Sequence, residues 1–301
     1  MRKQGALAAG AAAVTVVLWA SAFVAIRHVG QGMSAGALSL GRLLVGSVVL
    51  GIFVFTRPRR WPARSDWKLL LACGLLWFGV YNLALNEAER HLDAGTTAML
   101  VNIGPLLIAV LAGLLLREGF PRRLVVGSLV AFGGVVVIGL SSSGGGTEVW
   151  GVVLCLVAAA AYAIGVVSQK PLLGRLPALE VTWLSCVIGA VACLPFGPAL
   201  VREVRPSNVW WIVFLGAFPT AIAFTTWAYA LARTTAGRMG ATTYLVPPLA
   251  IALGWLLLGE SPAPLAFAGG ALCLVGVAIS RYRSKPATRV DRPDSKPLSK
   301  S

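Results

Sequence analysis

The sequence NIGPLLIAVLAGLLLRE at residues 102–118 returns, 142 positions later, as YLVPPLAIALGWLLLGE at residues 244–260. Extended outward without a gap, residues 88–138 align with residues 230–280, and 13 of the 51 pairs are identical. Composition alone gives on the order of four identities over that length. The identities include prolines, glutamates and glycines as well as leucines: Pro105 with Pro247, Glu118 with Glu260, Gly127 with Gly269, and Gly134 with Gly276. The chain therefore contains a duplicated unit.

The composition identifies the environment in which this duplication folds. Of the 301 residues, 57% are hydrophobic and 12% are charged, a balance that excludes an ordinary water-soluble core. The apolar runs are near twenty residues long, which is the length of a helix that crosses a hydrocarbon layer of about 30 Å. Membrane β-strands are about half as long and alternate in polarity, which these runs do not. We predict an all-α integral membrane protein.

The apolar runs predict ten transmembrane helices, five in each half. They lie at about residues 11–30, 36–56, 69–87, 95–116, 122–140, 149–170, 179–201, 208–232, 238–258 and 263–282. The run Ala20-Ser21-Ala22 also resembles a signal-peptide cleavage site, but removal of the first helix would leave one repeat a span short, so we expect it to be retained. Because five is odd, the second repeat enters the membrane in the opposite orientation to the first.

Four regions follow from this division. We predict a first five-helix repeat at 6–140, a Ser/Gly linker at 141–148, a second repeat at 149–282 and a disordered basic cytoplasmic tail at 283–301. The tail is rich in Lys, Arg, Pro and Ser, so we expect it to be attracted to anionic membrane lipids.

The basic residues are sorted by side of the membrane. With the N-terminus inside, 21 of the 26 Lys and Arg residues fall on the cytoplasmic side and Arg42 lies within a span. The four others face outward: Arg27, Arg90, Arg202 and Arg205. This bias predicts a multi-pass protein of the plasma membrane with both termini in the cytoplasm. It also explains the net charge of +15 without a nucleic-acid partner.

Residues suited to catalysis are scarce. The two histidines lie at span ends, and neither an HExxH nor a GxSxG motif occurs. The five cysteines lie in apolar spans without CxxC spacing, so we predict no disulfide and no metal site. The sequence therefore predicts neither an enzyme nor a cofactor.

Polar and aromatic side chains at mid-membrane depth are the candidates for substrate contact. Asn82 and Asn86 are four residues apart and share a helix face. An amide that faces lipid is costly, so both either bond neighbouring helices or contact a substrate. The full set of cavity candidates is Trp19, Ser21, Tyr81, Asn82, Asn86, Asn102, Tyr162, Thr226, Trp227 and Tyr244. For the aromatic members, core packing is the competing interpretation.

Two recurring residue pairs are candidates for hinges or gates. Pro105 and Pro247 each remove a backbone donor within a predicted span, which bends a helix and can widen a cavity. Glu118 and Glu260 end Leu-rich runs, where they either cap a helix, pair with arginines or act in a gate. Arg42 is the one charge well inside a span, and it either reaches outward to water or anchors an anionic group of the substrate.

Together these residues resemble the drug/metabolite transporter superfamily, in particular its EamA-like ten-helix branch. The resemblance is carried by WASAFVAIR at 19–27, GRLL at 41–44 and the paired Pro and Glu positions of the repeat. It implies two inverted five-helix bundles around a central cavity, lined mainly by spans 1, 3, 4, 6, 8 and 9. One departure is Pro247-Pro248 where the first repeat has a single proline, so the two halves need not contact substrate equally.

The function expected from these features is export of small metabolites, such as amino acids, by alternating access. A broad-specificity drug efflux protein is the alternative within transport, although no carboxylate lies deep in a span. A non-transporting membrane scaffold and a membrane-embedded enzyme are the alternatives from other classes. The expected partners are a small-molecule substrate and membrane lipids, and the sequence leaves open whether the chain forms a homodimer.

Overall fold

The computed structural model describes residues 2–30, 32–91, 97, 100–142, 149–258 and 264–281. The predictions for Glu260, for linker residues 143–148 and for the tail from residue 282 concern residues outside these ranges. Within them the chain is all-helical, with no strand. The predicted fold class is confirmed at this level.

The helices follow the predicted spans. In chain order they are α1 (Arg2–Gly30), α2 (Ala35–Phe55), α3 (67–88), α4 (Gly104–Leu115), α5 (Arg122–Ser142), α6 (Val149–Leu172), α7 (Ala178–Ala192), α8 (Gly197–Glu203), α9 (206–232), α10 (236–258) and α11 (Pro264–Arg281). Six stretches are long and apolar enough to cross a membrane, or seven if the bent pair α7 and α8 is one span, and α4 and part of α11 are shorter apolar helices. These are counts over the described ranges, and the total of ten spans stays a prediction.

Two helices contain π-helical stretches at equivalent places in the two halves. Helix α3 is π-helical at Cys73–Val80, and α9 is π-helical at Gly216–Ile222. A shift of 142 places residues 73–80 on residues 215–222. The internal repeat therefore includes the two π-helical stretches. A π-helical turn widens the helix and turns the side chains that follow it, and such turns are frequent at functional sites.

The two predicted hinge prolines lie in the first turn of an α-helix. Pro105 is the second residue of α4, and Pro247 is the second residue of the segment Val246–Leu258, which follows a 3₁₀ turn at Thr243–Leu245. In the first turn the backbone N–H has no intrahelical partner, so proline removes nothing there. Neither proline interrupts the regular α-helical segment that contains it, and their role as hinges stays a prediction. In both cases the departure from regular α-helical geometry lies before the proline.

Helices α5 and α11, which carry equivalent positions under the shift of 142 residues, pack closely through glycines. A Cβ at Gly127 would lie 2.5 Å from the carbonyl oxygen of Gly276, and a Cβ at Gly134 would lie 2.5 Å from that of Gly269. These distances are shorter than real side-chain contacts, so the backbones meet where only hydrogen fits. As residue numbers rise along α5 the partners fall along α11, so the two helices are antiparallel.

Hydrogen bonds and an ion pair join the connections between helices at each end of the bundle. The carboxylate of Asp66 pairs with Arg175 at 2.9 Å, and the backbone N–H of Arg60 donates to Glu180 at 2.9 Å. These bonds join the α2–α3 and α6–α7 connections. At the other end, Ser34 donates to Glu203 from its backbone N–H at 2.7 Å and from its hydroxyl at 2.9 Å.

Candidate functional site

A cavity of about 680 Å³, part of which is open to solvent, lies between the two halves. Most of its wall comes from α1, α2, α3 and the start of α4, and the rest comes from α6, α9 and α10. The lining residues are Trp19, Ala22, Phe23, Ile26, Arg42, Trp77, Tyr81, Asn82, Leu85, Val101, Asn102, Pro105, Tyr162, Phe224, Thr243 and Val246. Among these described residues none carries a carboxylate.

Arg42 is the charged side chain of the cavity. It is 5% exposed, and its Nε donates to the hydroxyl of Thr220 at 3.1 Å. That hydroxyl in turn donates to the carbonyl of Leu215 at 2.8 Å, a bond across five residues of the π-helical stretch in α9. A residue of the second half therefore orients the cation of the first. The Nε bond uses one of the five guanidinium donors.

Asn82 lines the same cavity from α3. Its amide nitrogen donates to the carbonyl of Phe78 at 2.8 Å and, more weakly, to that of Trp77 at 3.4 Å. Both carbonyls belong to the π-helical stretch of α3. Because the nitrogen is occupied by backbone, the amide oxygen is the group that Asn82 can offer to a ligand.

Aromatic rings form the deep wall of the cavity. The Trp77 ring lies 4.9 Å from that of Phe224 and 5.4 Å from that of Tyr162, measured between centroids. The Trp19 ring lies 5.2 Å from that of Phe224. The tilted and edge-on arrangements are those that aromatic quadrupoles favour. Trp227, fully buried, lies 5.0 Å from Trp19 and so supports this wall from behind.

Near the opposite end of the bundle lies a cluster of charged contacts, of which those of Glu118 join the two halves and those of Lys170 lie within the second half. The Glu118 carboxylate accepts from the backbone N–H groups of Ala236 at 2.7 Å and Gly237 at 3.2 Å, at the first turn of α10. Lys170 donates to the carbonyls of Leu231 and Thr234, both at 2.6 Å, at the end of α9. An anion at a helix N-terminus and a cation at a C-terminus are both favourable. We call these bonds the Glu118–Lys170 latch.

The remaining cavity candidates lie outside the lining. The Ser21 hydroxyl donates to the carbonyl of Leu18 at 2.8 Å, and the Asn86 amide donates to Ser39 at 3.0 Å. The Thr226 hydroxyl lies 2.9 Å from that of Thr15. Tyr244 is fully buried in a separate cluster with α5 and α11. Trp19, Arg42, Tyr81, Asn82, Asn102, Pro105 and Tyr162 are the predicted residues that share the cavity.

Three residues that contribute to these sites were missed from the sequence. Phe224 forms part of the aromatic wall, Thr220 holds Arg42, and Lys170 belongs to the latch. Phe224 and Thr220 lie within or just after a π-helical stretch, where ordinary helical spacing does not give the direction of a side chain. Lys170 carried a signal, because it ends an apolar span, but it was counted only as a cytoplasmic charge.

Comparison with known proteins gives a consistent result. The sequence profile of the EamA-like transporter family matches residues 6–140 and 149–282. A probable terminal-alkyne amino-acid exporter of Streptantibioticus cattleyicolor is 38% identical over 276 residues, covering 90% of this chain and 92% of the relative. The uncharacterised transporter YdfC of Bacillus subtilis is 29% identical, covering 91% and 90%. A protein of known crystal structure matches the fold with a TM-score of 0.78 at 21% identity, covering 91% of this chain and 96% of its own.

Proposed function

The chain belongs to the EamA-like transporter family, and from this premise we propose that it exports small metabolites such as amino acids across the plasma membrane. The observation that carries the proposal is the cavity between the halves, which combines a buried cation with an aromatic wall. A pocket with mostly apolar walls and a few directed polar groups is typical of a small-molecule site. No catalytic role is assigned to any residue.

Ten spans, arranged as two inverted five-helix repeats at residues 6–140 and 149–282, form the transporter in this proposal. The antiparallel packing of α5 on α11 supports the inversion, because these helices hold the same place in the two repeats. The recurrence of the π-helical stretches at Cys73–Val80 and Gly216–Ile222 supports it as well. Inverted repeats make the two end states of a transport cycle near mirror images.

Both termini are cytoplasmic in this proposal. The ion pair of Asp66 with Arg175 joins two connections that the charge bias puts on the cytoplasmic side, and Ser34 and Glu203 join two that it puts outside. The cavity contains residues near the outer ends of α1, α2 and α3. The latch lies at the cytoplasmic end. In this proposal the conformation is the state that is open outward and closed inward.

The candidate residues take two roles. Those that line the cavity, Arg42 and Asn82 among them, contact the substrate, with Arg42 as the anion anchor. Those behind the lining shape it, as Trp227 does for the aromatic wall. Glu118 closes the cytoplasmic end, and its repeat partner Glu260 would act at the outer end. Pro105 and Pro247 mark the breaks around which the helices move.

Flux through reconstituted protein tests the proposal. Proteoliposomes would be loaded with a panel of labelled amino acids and other small metabolites. Efflux of each compound would be compared with its efflux from loaded liposomes that lack the protein. We expect at least one amino acid to leave the proteoliposomes faster than it leaves the protein-free liposomes. Asn82→Leu should reduce this flux, whereas Asn208→Leu, which alters a capping side chain between α8 and α9, should not. Efflux equal to the control for every compound would contradict a transport function.

A further inference from the structure

We propose that the connection between α2 and α3, at residues 56–66, binds the headgroup of an anionic phospholipid, with Arg59 and Arg60 on the phosphate and Trp61 beside it. The site lies at one end of the bundle and shares no residue with the lining of the cavity between the halves. The proposal therefore does not depend on what the protein transports.

The positive charge of this connection is exposed. Residues 57–64 contain four basic side chains and no acidic one. The basic residues are Arg57, Arg59, Arg60 and Arg64, all of them exposed. Lys68, at the start of α3, is exposed as well. A cluster of four or more cations directly after a transmembrane helix is the arrangement that attracts anionic lipid headgroups.

The two carboxylates near this charge lie beneath it and are engaged by other groups. Asp66 is 2% exposed and pairs with Arg175 at 2.9 Å. Glu180 is 7% exposed and accepts from the backbone N–H of Arg60 at 2.9 Å. Glu180 also lies in the first turn of α7, where the helix dipole favours an anion. In the part of the chain that the structure describes, neither Arg59 nor Arg60 forms an ion pair, so the exposed face stays positive.

Aromatic rings lie beside the exposed cations. The guanidinium carbon of Arg59 lies 4.7 Å from the centre of the Phe55 ring and 5.9 Å from that of the Trp61 ring. Phe55 is 56% exposed and Trp61 is 65% exposed. Tryptophan at the end of a transmembrane helix is typical of the layer in which headgroups lie. Exposed apolar side chains of α2, such as Ile52, offer a surface to the acyl chains of the same lipid. Charge next to apolar surface favours a lipid over a nucleic acid.

A pocket of about 220 Å³, partly open to solvent, lies beside these cations. Arg59, Arg60 and Trp61 line it from the connection, and Trp183 lines it from α7. Guanidinium groups bind phosphate oxygens through paired, charge-assisted hydrogen bonds. Because both arginines line the same pocket, one phosphate can accept from both.

A lipid bound here would also stabilise a contact between the halves. The bonds of Arg60 with Glu180 and of Asp66 with Arg175 join the α2–α3 connection of the first half to the α6–α7 connection of the second. A ligand that binds the folded protein and not the unfolded chain raises stability. Lipid binding at this connection should therefore raise the thermal unfolding midpoint.

Competition between lipids tests the proposal on the full-length protein. Protein in detergent would be mixed with equal amounts of phosphatidylglycerol and phosphatidylcholine that carry the same acyl chains, and the bound lipids would be counted by native mass spectrometry. We expect phosphatidylglycerol to be bound at least about tenfold more often than phosphatidylcholine. Equal binding of the two lipids would overturn the proposal.

The headgroup without acyl chains distinguishes a lipid from a free phosphate compound. We expect sn-glycerol 3-phosphate, added at the concentration of the lipid, to leave the bound phosphatidylglycerol in place. Its displacement of the lipid would overturn the assignment of a lipid and would identify the site as one for soluble phosphates.

A double variant locates the site. In Arg59→Gln/Arg60→Gln, we expect the preference for phosphatidylglycerol to fall at least about fivefold. Both side chains are exposed, and the bond to Glu180 comes from the backbone, so the variant should fold. Arg202→Gln/Arg205→Gln removes the same charge from exposed arginines at the other end of the bundle and should keep the preference.

The unfolding midpoint gives a second measurement of the same site. Phosphatidylglycerol should raise the midpoint of the unmodified protein and of Arg202→Gln/Arg205→Gln more than phosphatidylcholine does, and this difference should be lost in Arg59→Gln/Arg60→Gln. If Arg59→Gln/Arg60→Gln keeps the full preference and the full rise in midpoint, the lipid binds to other cations of the chain, and the assignment to this connection is overturned.

Discussion

The thiol of Cys273 lies 3.4 Å from the carbonyl oxygen of Ala131, and these two residues are 142 positions apart. They are therefore the same position in the two repeats, in contact with each other. On either side the glycine contacts exchange partners, since Gly127 meets the repeat equivalent of Gly134 and Gly134 meets that of Gly127. This is the pattern of a self-complementary interface, in which a two-fold axis passes through the central contact.

Adding one methyl group beside this axis should separate the helices. At Gly127 a Cβ would lie 2.5 Å from both the Gly276 carbonyl oxygen and the Ser280 backbone nitrogen, neither of which can move alone. We expect Gly127→Ala to destabilise the protein by about 1–3 kcal/mol, as overpacking of a filled interior does. A lower thermal unfolding midpoint in detergent would show it.

Gly133 provides the matched control on the same helix. A Cβ there meets nothing within 4 Å, so Gly133→Ala should leave the midpoint unchanged or raise it slightly. If the two variants unfold at the same temperature, the close approach of α5 and α11 is not what stabilises the pair.

Removing the hydroxyl that orients Arg42 should weaken substrate binding without changing the charge of the cavity. In Thr220→Val the guanidinium loses its bond at Nε, and the side chain keeps nearly the same shape. We expect the KM for the amino acid that the protein transports to rise about tenfold, the equivalent of about 1.4 kcal/mol, with little change in kcat.

Thr225→Val is the control, because the Thr225 hydroxyl bonds to the carbonyl of Ala221 in its own helix. It should leave the KM unchanged. An equal rise in both variants would mean that Thr220 acts through the stability of α9 and not through Arg42.

Most of the fold and part of the candidate site could be predicted from the sequence, for physical reasons that can be identified. Hydrophobic runs report burial in a membrane directly, so the helices were predictable, whereas the contact of α5 with α11 appears only in the structure. The direction in which a side chain points depends on the number of residues per helical turn, and a π-helical stretch changes that number. Trp19 and Trp227 lie at similar depth in their predicted spans, but one lines the cavity and the other supports it.

The partners of buried polar groups were the least predictable feature. Arg42 was visible as a charge inside a span, whereas Thr220 is 178 residues away and reaches it through a π-helical stretch. Propensity does not predict such a stretch, because it depends on the packing around it. Glu118 was recognised as a cap or a gate, but the helix it caps is α10 of the other half, and only the three-dimensional arrangement reveals that.

Closing the space behind Trp77 should alter the aromatic wall from outside the cavity. A Cβ at Gly165 would lie 2.5 Å from the Cβ of Trp77, so Gly165→Ala must push α3 away from α6 or move the ring into the cavity. We expect a several-fold loss of amino-acid efflux from proteoliposomes, whereas the amount of folded protein, measured by size-exclusion chromatography, should be unchanged. Gly10→Ala, at a helical glycine with open space around it, should transport normally. Normal transport by Gly165→Ala would show that the wall tolerates displacement of Trp77.

Weakening the Glu118–Lys170 latch should favour states open at the cytoplasmic end. Glu118→Gln keeps an acceptor for the backbone of Ala236 but removes the negative charge at the first turn of α10, at a cost of about 0.3–1 kcal/mol. Lys170 lies within electrostatic range of that carboxylate, so the double variant with Lys170→Gln should cost less than the sum of the single ones. Thermal unfolding of the four proteins measures this coupling.

The same change should be visible at the cavity. A cysteine introduced in place of Ala22, which lines it, would react with a membrane-impermeant thiol reagent from outside the cell. We expect Glu118→Gln to slow this labelling, because the inverted repeat exchanges opening at one end for closure at the other. Glu87→Gln, which removes an exposed pairing with Arg90, should not slow it. If Glu118→Gln lowers stability and leaves labelling unchanged, the carboxylate only caps α10, and the gate must be formed by other contacts.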